Sequence, residues 1–146
     1  MLKEFKLEQY HDLLLRKEKY IFDPIRKKWL VETKEELVRQ LMLAYLTQIL
    51  KYGSGRIAVE KKVLLGKSMK RFDILIYDEH LNPYMLIECK SYEIKIKQDA
   101  IYQASRYNIA LKAPYICITN GSEGIAAKVD FHSMKIEYLE ELPGPY

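Results

Sequence analysis

Arg71 to Tyr77 reads RFDILIY and Tyr84 to Lys90 reads YMLIECK, two apolar runs separated only by Asp78 to Pro83. Short runs of this composition, bounded by turn-forming residues, read as two strands of an antiparallel hairpin. Side chains alternate between the faces of a strand, so Glu88 and Lys90 share one face while Ile87 and Cys89 take the other. Symmetric closure of the hairpin sets Tyr77 opposite Tyr84, and therefore Asp73 opposite Glu88. Directly opposed residues have Cβ atoms about 4.5–5.5 Å apart. Two carboxylates at that range repel unless a cation lies between them, so the pair reads as half of a divalent-metal cage. A slip of one residue in the register would break the arrangement.

Working outward, Leu37, Leu41, Ala44, Tyr45 and Gln48 recur at helical spacing, and Val38, Met42 and Ile49 broaden the apolar face. Thr33 with Glu36 three residues later predicts a capping box at the start of that helix. The helix is expected to run to about Tyr52, where Gly53-Ser54-Gly55 stops it. Arg56 to Leu65 reads as a strand that turns at Gly66. Gln98 to Lys112 reads as a second helix, with Pro114 just beyond it. Pro114 to Thr119, PYICIT, has the apolar content of a strand inside a sheet, closed by the Asn120-Gly121 turn. Ala126 to Phe131 and Lys135 to Leu139 supply a last strand or two. The first twenty residues mix charge with leucine and are read as a short helical extension ahead of an Asp23-Pro24 turn. The expectation is one α/β domain over 1–146, with its core at 33–140 and a mixed central sheet flanked by helices.

The 146 residues are enough to bury a core without disulfide or metal staples. Twenty-four basic against 20 acidic residues give a formal charge of +4, which permits a nucleic-acid partner without requiring one. The basic residues gather locally, at Arg26 to Lys28, at Lys61, Lys62, Lys67, Lys70 and Arg71, and at Lys90, Lys95 and Lys97. Cys89 and Cys117 sit in apolar runs and read as buried thiols, which suits a reducing cytoplasm. The first residues lack the apolar stretch of a secretion signal, and nowhere does an apolar run approach a membrane span. Three scattered histidines and two isolated cysteines lack zinc-binding spacing.

Asp73, then Glu88-Cys89-Lys90, then a helix carrying Gln103-Ala-Ser-Arg-Tyr107 resembles the PD-(D/E)XK nuclease superfamily in its Q-x-x-x-Y branch. More closely, FDPIRKKW, TKEELVRQ, RFDILIYD, LIECKSYEIKI, QASRYN and YICITNG resemble the N-terminal nuclease domain of type I restriction enzyme R subunits, in its small stand-alone versions. The likeness covers roughly residues 20 to 140. It implies a restriction-endonuclease-like core with α-β-β-β-α-β order. It departs from the superfamily's name at Phe72, which stands where a proline precedes the aspartate. No Walker-type glycine loop is present, so the likeness does not extend to the translocating motor of an R subunit.

The resemblance implies Mg²⁺-dependent hydrolysis of DNA, with Mn²⁺ as a substitute. Asp73 and Glu88 match the metal-binding carboxylates, with the Cys89 carbonyl as a further ligand and Glu36 matching an acidic residue on the first helix. For Glu36 a purely capping role is an equal alternative, and Glu35 could serve in its place. Lys90 matches the motif lysine that orients water or stabilises phosphate charge. Gln103 and Tyr107, four apart on one helical face, match an auxiliary polar pair. Lys70, Arg71, Lys95, Lys97 and Arg106 are the candidate DNA contacts. A homodimer and a restriction-system or motor partner are the expected associates. Two alternatives stay open: a non-cleaving nucleic-acid-binding or scaffold module, and a repair or junction nuclease.

Overall fold

A computed structural model describes residues 1–145. Its centre is a six-stranded mixed sheet in which neighbours follow chain order: β4 (Ile57–Leu65), β5 (Ser68–Tyr77), β6 (Pro83–Cys89), β7 (Tyr115–Thr119), β8 (Gly124–Asp130) and β9 (Lys135–Tyr138). All pairings are antiparallel except β6 with β7. That parallel step needs a crossover, and α2 (Ala100–Leu111) supplies it. α1 (Lys34–Ala44) covers one face, where Val38, Leu41 and Met42 meet Ile74, Ile76, Met85, Ile87, Cys89 and Cys117. α2 covers the other, where Ile101 and Ala104 meet Ile116, Ile118, Ile125 and Ala127. The expected α-β-β-β-α-β order is therefore present, with both faces of the central strands buried, as their near-continuous apolar content requires.

The register of the β5–β6 hairpin agrees with the sequence expectation at its inner end, where Ile74 faces Ile87, Leu75 faces Leu86 and Ile76 faces Met85. At the outer end it differs. Tyr77 faces Pro83 rather than Tyr84, because the register shifts by one residue between Ile76 and Tyr77. The shift is confined to the connection, where Asp78 Oδ1 accepts the amides of His80 and Asn82, both at 2.9 Å.

The hydroxyl of Thr33 accepts the Glu36 amide at 3.0 Å, which caps α1 where the sequence placed its start. The return half of the capping box is absent. The Thr33 amide instead donates to the Val31 carbonyl, and the Glu36 side chain is used elsewhere. The helix also stops being regular earlier than expected, at Ala44, and widens into a π-helical turn over Tyr45–Ile49. The end of α2 is closed by Asn108 in its last turn, whose side chain brackets Ala113 by donating to its carbonyl at 2.7 Å and accepting its amide at 3.0 Å.

Residues 1 to 31 differ most from the sequence reading. Only Leu7–Leu13 is helical, as a 3-10 helix, and a small three-stranded sheet follows: β1 (Arg16–Lys17), β2 (Tyr20–Asp23) and β3 (Lys28–Val31). The Asp23-Pro24 step punctuates the β2–β3 hairpin rather than separating two helices. Leu2, Phe5 and Leu7 are buried in the same cluster as Val38 and Met42, so this stretch is part of the core rather than an extension of it. Its backbone is tied down as well, with amides of Leu2 and Leu7 donating to the carbonyls of Gly124 and Gly121.

Candidate functional site

The position of Asp73 depends on an interruption in the β4–β5 ladder. Pairs run from Val59–Ile74 to Lys61–Phe72 and skip Glu60–Asp73, where Glu60 adopts a left-handed φ of 54°. Inside the break Val59 and Ile74 pack under α1. Outside it Phe72 and Val63 pack with Leu111 and Ala113 on the α2 side. Strict alternation is thus broken, and both Glu60 and Asp73 turn toward α1, where each reaches Arg39. The β5–β6 ladder ends at Ile74–Ile87, and the next free amide of β6, that of Cys89, donates to Asp73 Oδ2 at 2.8 Å. Asp73 therefore fills the gap where the two strands separate.

Continuing the register sets Asp73 level with Glu88, as the sequence indicated. Glu88 lies between Ile87 and Cys89, which pack under α1, and beside Ile118 of the α2 cluster, so it alternates away from the Arg39 side. Its contact is Lys90 Nζ at 3.9 Å, a loose pairing that leaves most of its lone pairs available. The two carboxylates thus stand at one level of adjacent strands but turn to different sides, Asp73 toward Arg39 and Glu88 toward Lys90, whereas the sequence expectation had them point at a common spot. No three His, Cys, Asp or Glu side chains among the described residues are gathered into a ready cage.

Two arginines that the sequence reading did not single out as site residues organise the surroundings. Arg26, on the β2–β3 turn, binds Asp23 at 2.5 Å and Glu60 at 3.0 Å, and its Nη2 lies 3.0 Å from both Glu36 oxygens. Arg39 binds Glu36 at 2.6 Å and Asp73 Oδ1 at 2.8 Å, with Glu35 at 3.5 Å and Glu60 at 3.6 Å. Burial works against the Arg39 charge, but Asp73 and Glu36 more than offset it and hold its pKa above the ordinary value. Both Glu36 oxygens are occupied, by Arg26, Arg39 and the Gln40 amide. Glu36 is therefore a structural anchor here, with no oxygen left unpaired for a metal. Glu35, by contrast, has its carboxyl pKa raised by burial and then by the negative charge of Asp73, and lowered by Arg39 and Lys90. Five carboxylates, Asp23, Glu35, Glu36, Glu60 and Asp73, surround these two guanidinium groups, leaving the region an excess of negative charge.

The remaining candidates are dispersed. Gln103 is exposed on α2 and donates to Asp99 at 3.3 Å, while Tyr107 holds Lys70 over its ring at 4.4 Å from the centroid. Arg71, Lys95, Lys97 and Arg106 are exposed. Lys95 and Lys97 lie on the segment after β6, which is pinned from the Asn120 turn: the Asn120 amide donates to the Ile94 carbonyl, and Glu123 accepts the Ile96 amide. Asn120 itself makes the tight turn read from its sequence, accepting the amides of Ser122 and Glu123. Cys89 and Cys117 are free and buried, and burial drives both thiols up, Cys117 to about 12. Of Cys89, only the main-chain carbonyl remains a credible ligand. No helix among the described residues is long and apolar enough to cross a membrane.

A family model described as the N terminus of the type I restriction enzyme R protein matches residues 34–143. The chain belongs to that family. The matched span holds Asp73, Glu88, Lys90, Gln103 and Tyr107, whereas Asp23 and Arg26 lie ahead of it. Among solved structures, the chain is similar to a fragment of an HsdR subunit of a type I restriction enzyme from Vibrio vulnificus YJ016, at 22% identity and a TM-score of 0.43. That similarity covers 61% of this chain and 19% of the other, so the R-protein N-terminal module spans only a small part of the solved relative. No curated protein matches the chain.

Proposed function

We propose that this R-protein N-terminal module hydrolyses DNA phosphodiester bonds with Mg²⁺, Mn²⁺ being an effective substitute. The observation that carries the reading is the level placement of Asp73 and Glu88 at the point where β5 and β6 part, with Lys90 beside Glu88. The donor set suits the ion in kind. Mg²⁺ takes one or two carboxylates, keeps several waters and completes its shell with substrate phosphate. Asp73, Glu88 and the Cys89 carbonyl would hold it, which requires the Glu88 side chain to turn from its place beside Lys90 toward the Asp73 side. When bound, the cation polarises a phosphate oxygen and lowers the pKa of a water.

The chain's own groups supply the rest. The Lys90 ammonium, exposed and only loosely held by Glu88, is free to orient the attacking water or to neutralise charge growing on the phosphate. Arg39 fixes the Asp73 carboxylate through Oδ1 while the Cys89 amide fixes it through Oδ2, so the side chain is oriented before substrate arrives. Gln103 and Tyr107 lie on α2, where Tyr107 positions the Lys70 ammonium for a phosphate. Cleavage of supercoiled and linear DNA in Mg²⁺ or Mn²⁺ tests the reading. Asp73→Ala and Lys90→Ala are expected to lose at least about a hundredfold in rate with unchanged circular dichroism. Absence of cutting by the wild type in either metal, with DNA binding intact, would overturn it.

One observation favours a second reading, a module that binds DNA without cutting. Arg39 and the Cys89 amide already hold the two oxygens of Asp73, so its side chain is fixed without a metal. The same assay separates the two. Sequence choice and translocation would fall to a partner or to a second copy of the chain.

A further inference from the structure

The segment Lys61 to Arg71 carries five basic residues and no acidic one. It forms the outer half of the β4–β5 ribbon, closed by a two-residue turn at Gly66-Lys67 on the edge of the sheet. Among the described residues none of Lys61, Lys62, Lys67, Lys70 and Arg71 makes an ion pair. A Cβ placed on Gly66 would meet nothing within 4 Å, so the tip stands clear of the rest of the molecule.

The two faces of the ribbon differ. On one, Val63 and Phe72 pack with Leu111 and Ala113, and Lys70 lies over Tyr107, which anchors the ribbon to α2. On the other, Lys62 pairs with Arg71 and Leu64 with Met69. Leu64 is 63% exposed and Met69 60%. Two opposed, solvent-facing apolar side chains framed by unpaired cations are costly decoration. Lysines alone would protect an edge strand from unwanted pairing, but they do not account for an apolar pair at its tip.

We infer that this ribbon is a docking element for duplex DNA, an inference that rests on the DNA-hydrolase reading above. Two strands about 4.8 Å apart fit a major groove about 12 Å wide. Lys62 and Arg71 meet the phosphates bordering the groove, and Leu64 with Met69 meets the base edges. Asp73 continues the same side of β5, roughly 13 Å from the Leu64–Met69 pair at the strand rise, so a duplex seated on the ribbon passes its backbone across the centre. Apolar contact at the base edges adds affinity with little base discrimination.

The test is anisotropy of a labelled duplex over a range of NaCl, without divalent ions, on the full chain. Lys62→Ser/Arg71→Ser is expected to reduce the slope of log K against log salt by about 2, near 0.9 per phosphate contact. Leu64→Ser/Met69→Ser changes only exposed side chains and is expected to weaken binding about tenfold with the slope unchanged. Wild-type affinity and slope in both variants would overturn the ribbon while leaving the hydrolase reading standing. Self-association of the charge variant at unchanged DNA affinity would also overturn it, in favour of edge protection. Failure of the wild type to bind duplex at any salt would remove both.

Discussion

Asp23 has no solvent exposure, yet it is ionised and useful. Burial pushes its pKa up, but the Arg26 amide and guanidinium, together with Gln40, outweigh burial and leave it below the ordinary 3.8. A carboxylate with a depressed folded-state pKa stabilises the fold fully above its unfolded value, and that contribution is lost as pH falls through the folded one. Urea unfolding between pH 7 and pH 3 is therefore expected to show a midpoint that drops most steeply below about pH 4. Asp23→Asn should lower the midpoint at pH 7 and flatten the acid limb; parallel limbs for variant and wild type would contradict the assignment. Removing the group altogether, as in Asp23→Ala, leaves Arg26 with fewer partners and is expected to cost about 3 kcal/mol. At this scale the shared face of Glu88 and Lys90 was legible because period-two alternation places them together, whereas the face taken by Asp73 was not, because alternation breaks opposite Glu60. Arg26 and Arg39 were not, because the partners of a guanidinium come from distant segments that no local spacing reveals.

At the scale of elements, helix ends were read where a side chain meets its own backbone and missed where the tertiary surroundings intervene. Thr33 capped α1 as expected. Glu36 left its capping role because two guanidinium groups and an amide outbid one backbone N–H. At the far end of α2, Lys112 takes a left-handed conformation with φ 56° and ψ 37°, a position usually held by glycine. The strain is not compensated by a side-chain contact within the described network, and the residue is exposed. Lys112→Gly is expected to raise stability by about 1 kcal/mol, read from chemical denaturation. A loss of stability would show that the lysine stem contributes packing that outweighs the backbone relief. Glu60 adopts a similar φ, but there the conformation turns Asp73 toward Arg39, and the ion pairs of Glu60 with Arg26 and Arg39 help hold it.

At the scale of the whole molecule, the amino-terminal stretch closes the α1 side of the core. Leu2 and Phe5 lie directly over Gly124, where an added Cβ would come within 2.8 Å of the Phe5 ring and 3.1 Å of Leu2. The Leu2 amide already bonds the Gly124 carbonyl, so the backbone cannot easily retreat. Gly124→Ala is expected to cost about 1–3 kcal/mol by overpacking, seen as a lower melting temperature. Gly124→Ala/Phe5→Leu should recover part of that loss. An unchanged melting temperature in the single variant would mean that the first residues do not seat on β8.

The sequence by itself determined the strands and helices of the main sheet, their order, the inner register of the β5–β6 hairpin and the family. Each of these follows from local periodicity and from motifs carried on contiguous segments. Tertiary structure alone decided that residues 16 to 31 form a second small sheet, that the first residues belong to the core, and that Asp73 is held by Arg39. The reason is physical: burial and ion pairing between segments far apart in the chain depend on which faces meet, and a one-residue change of hand at Glu60 is enough to choose the face.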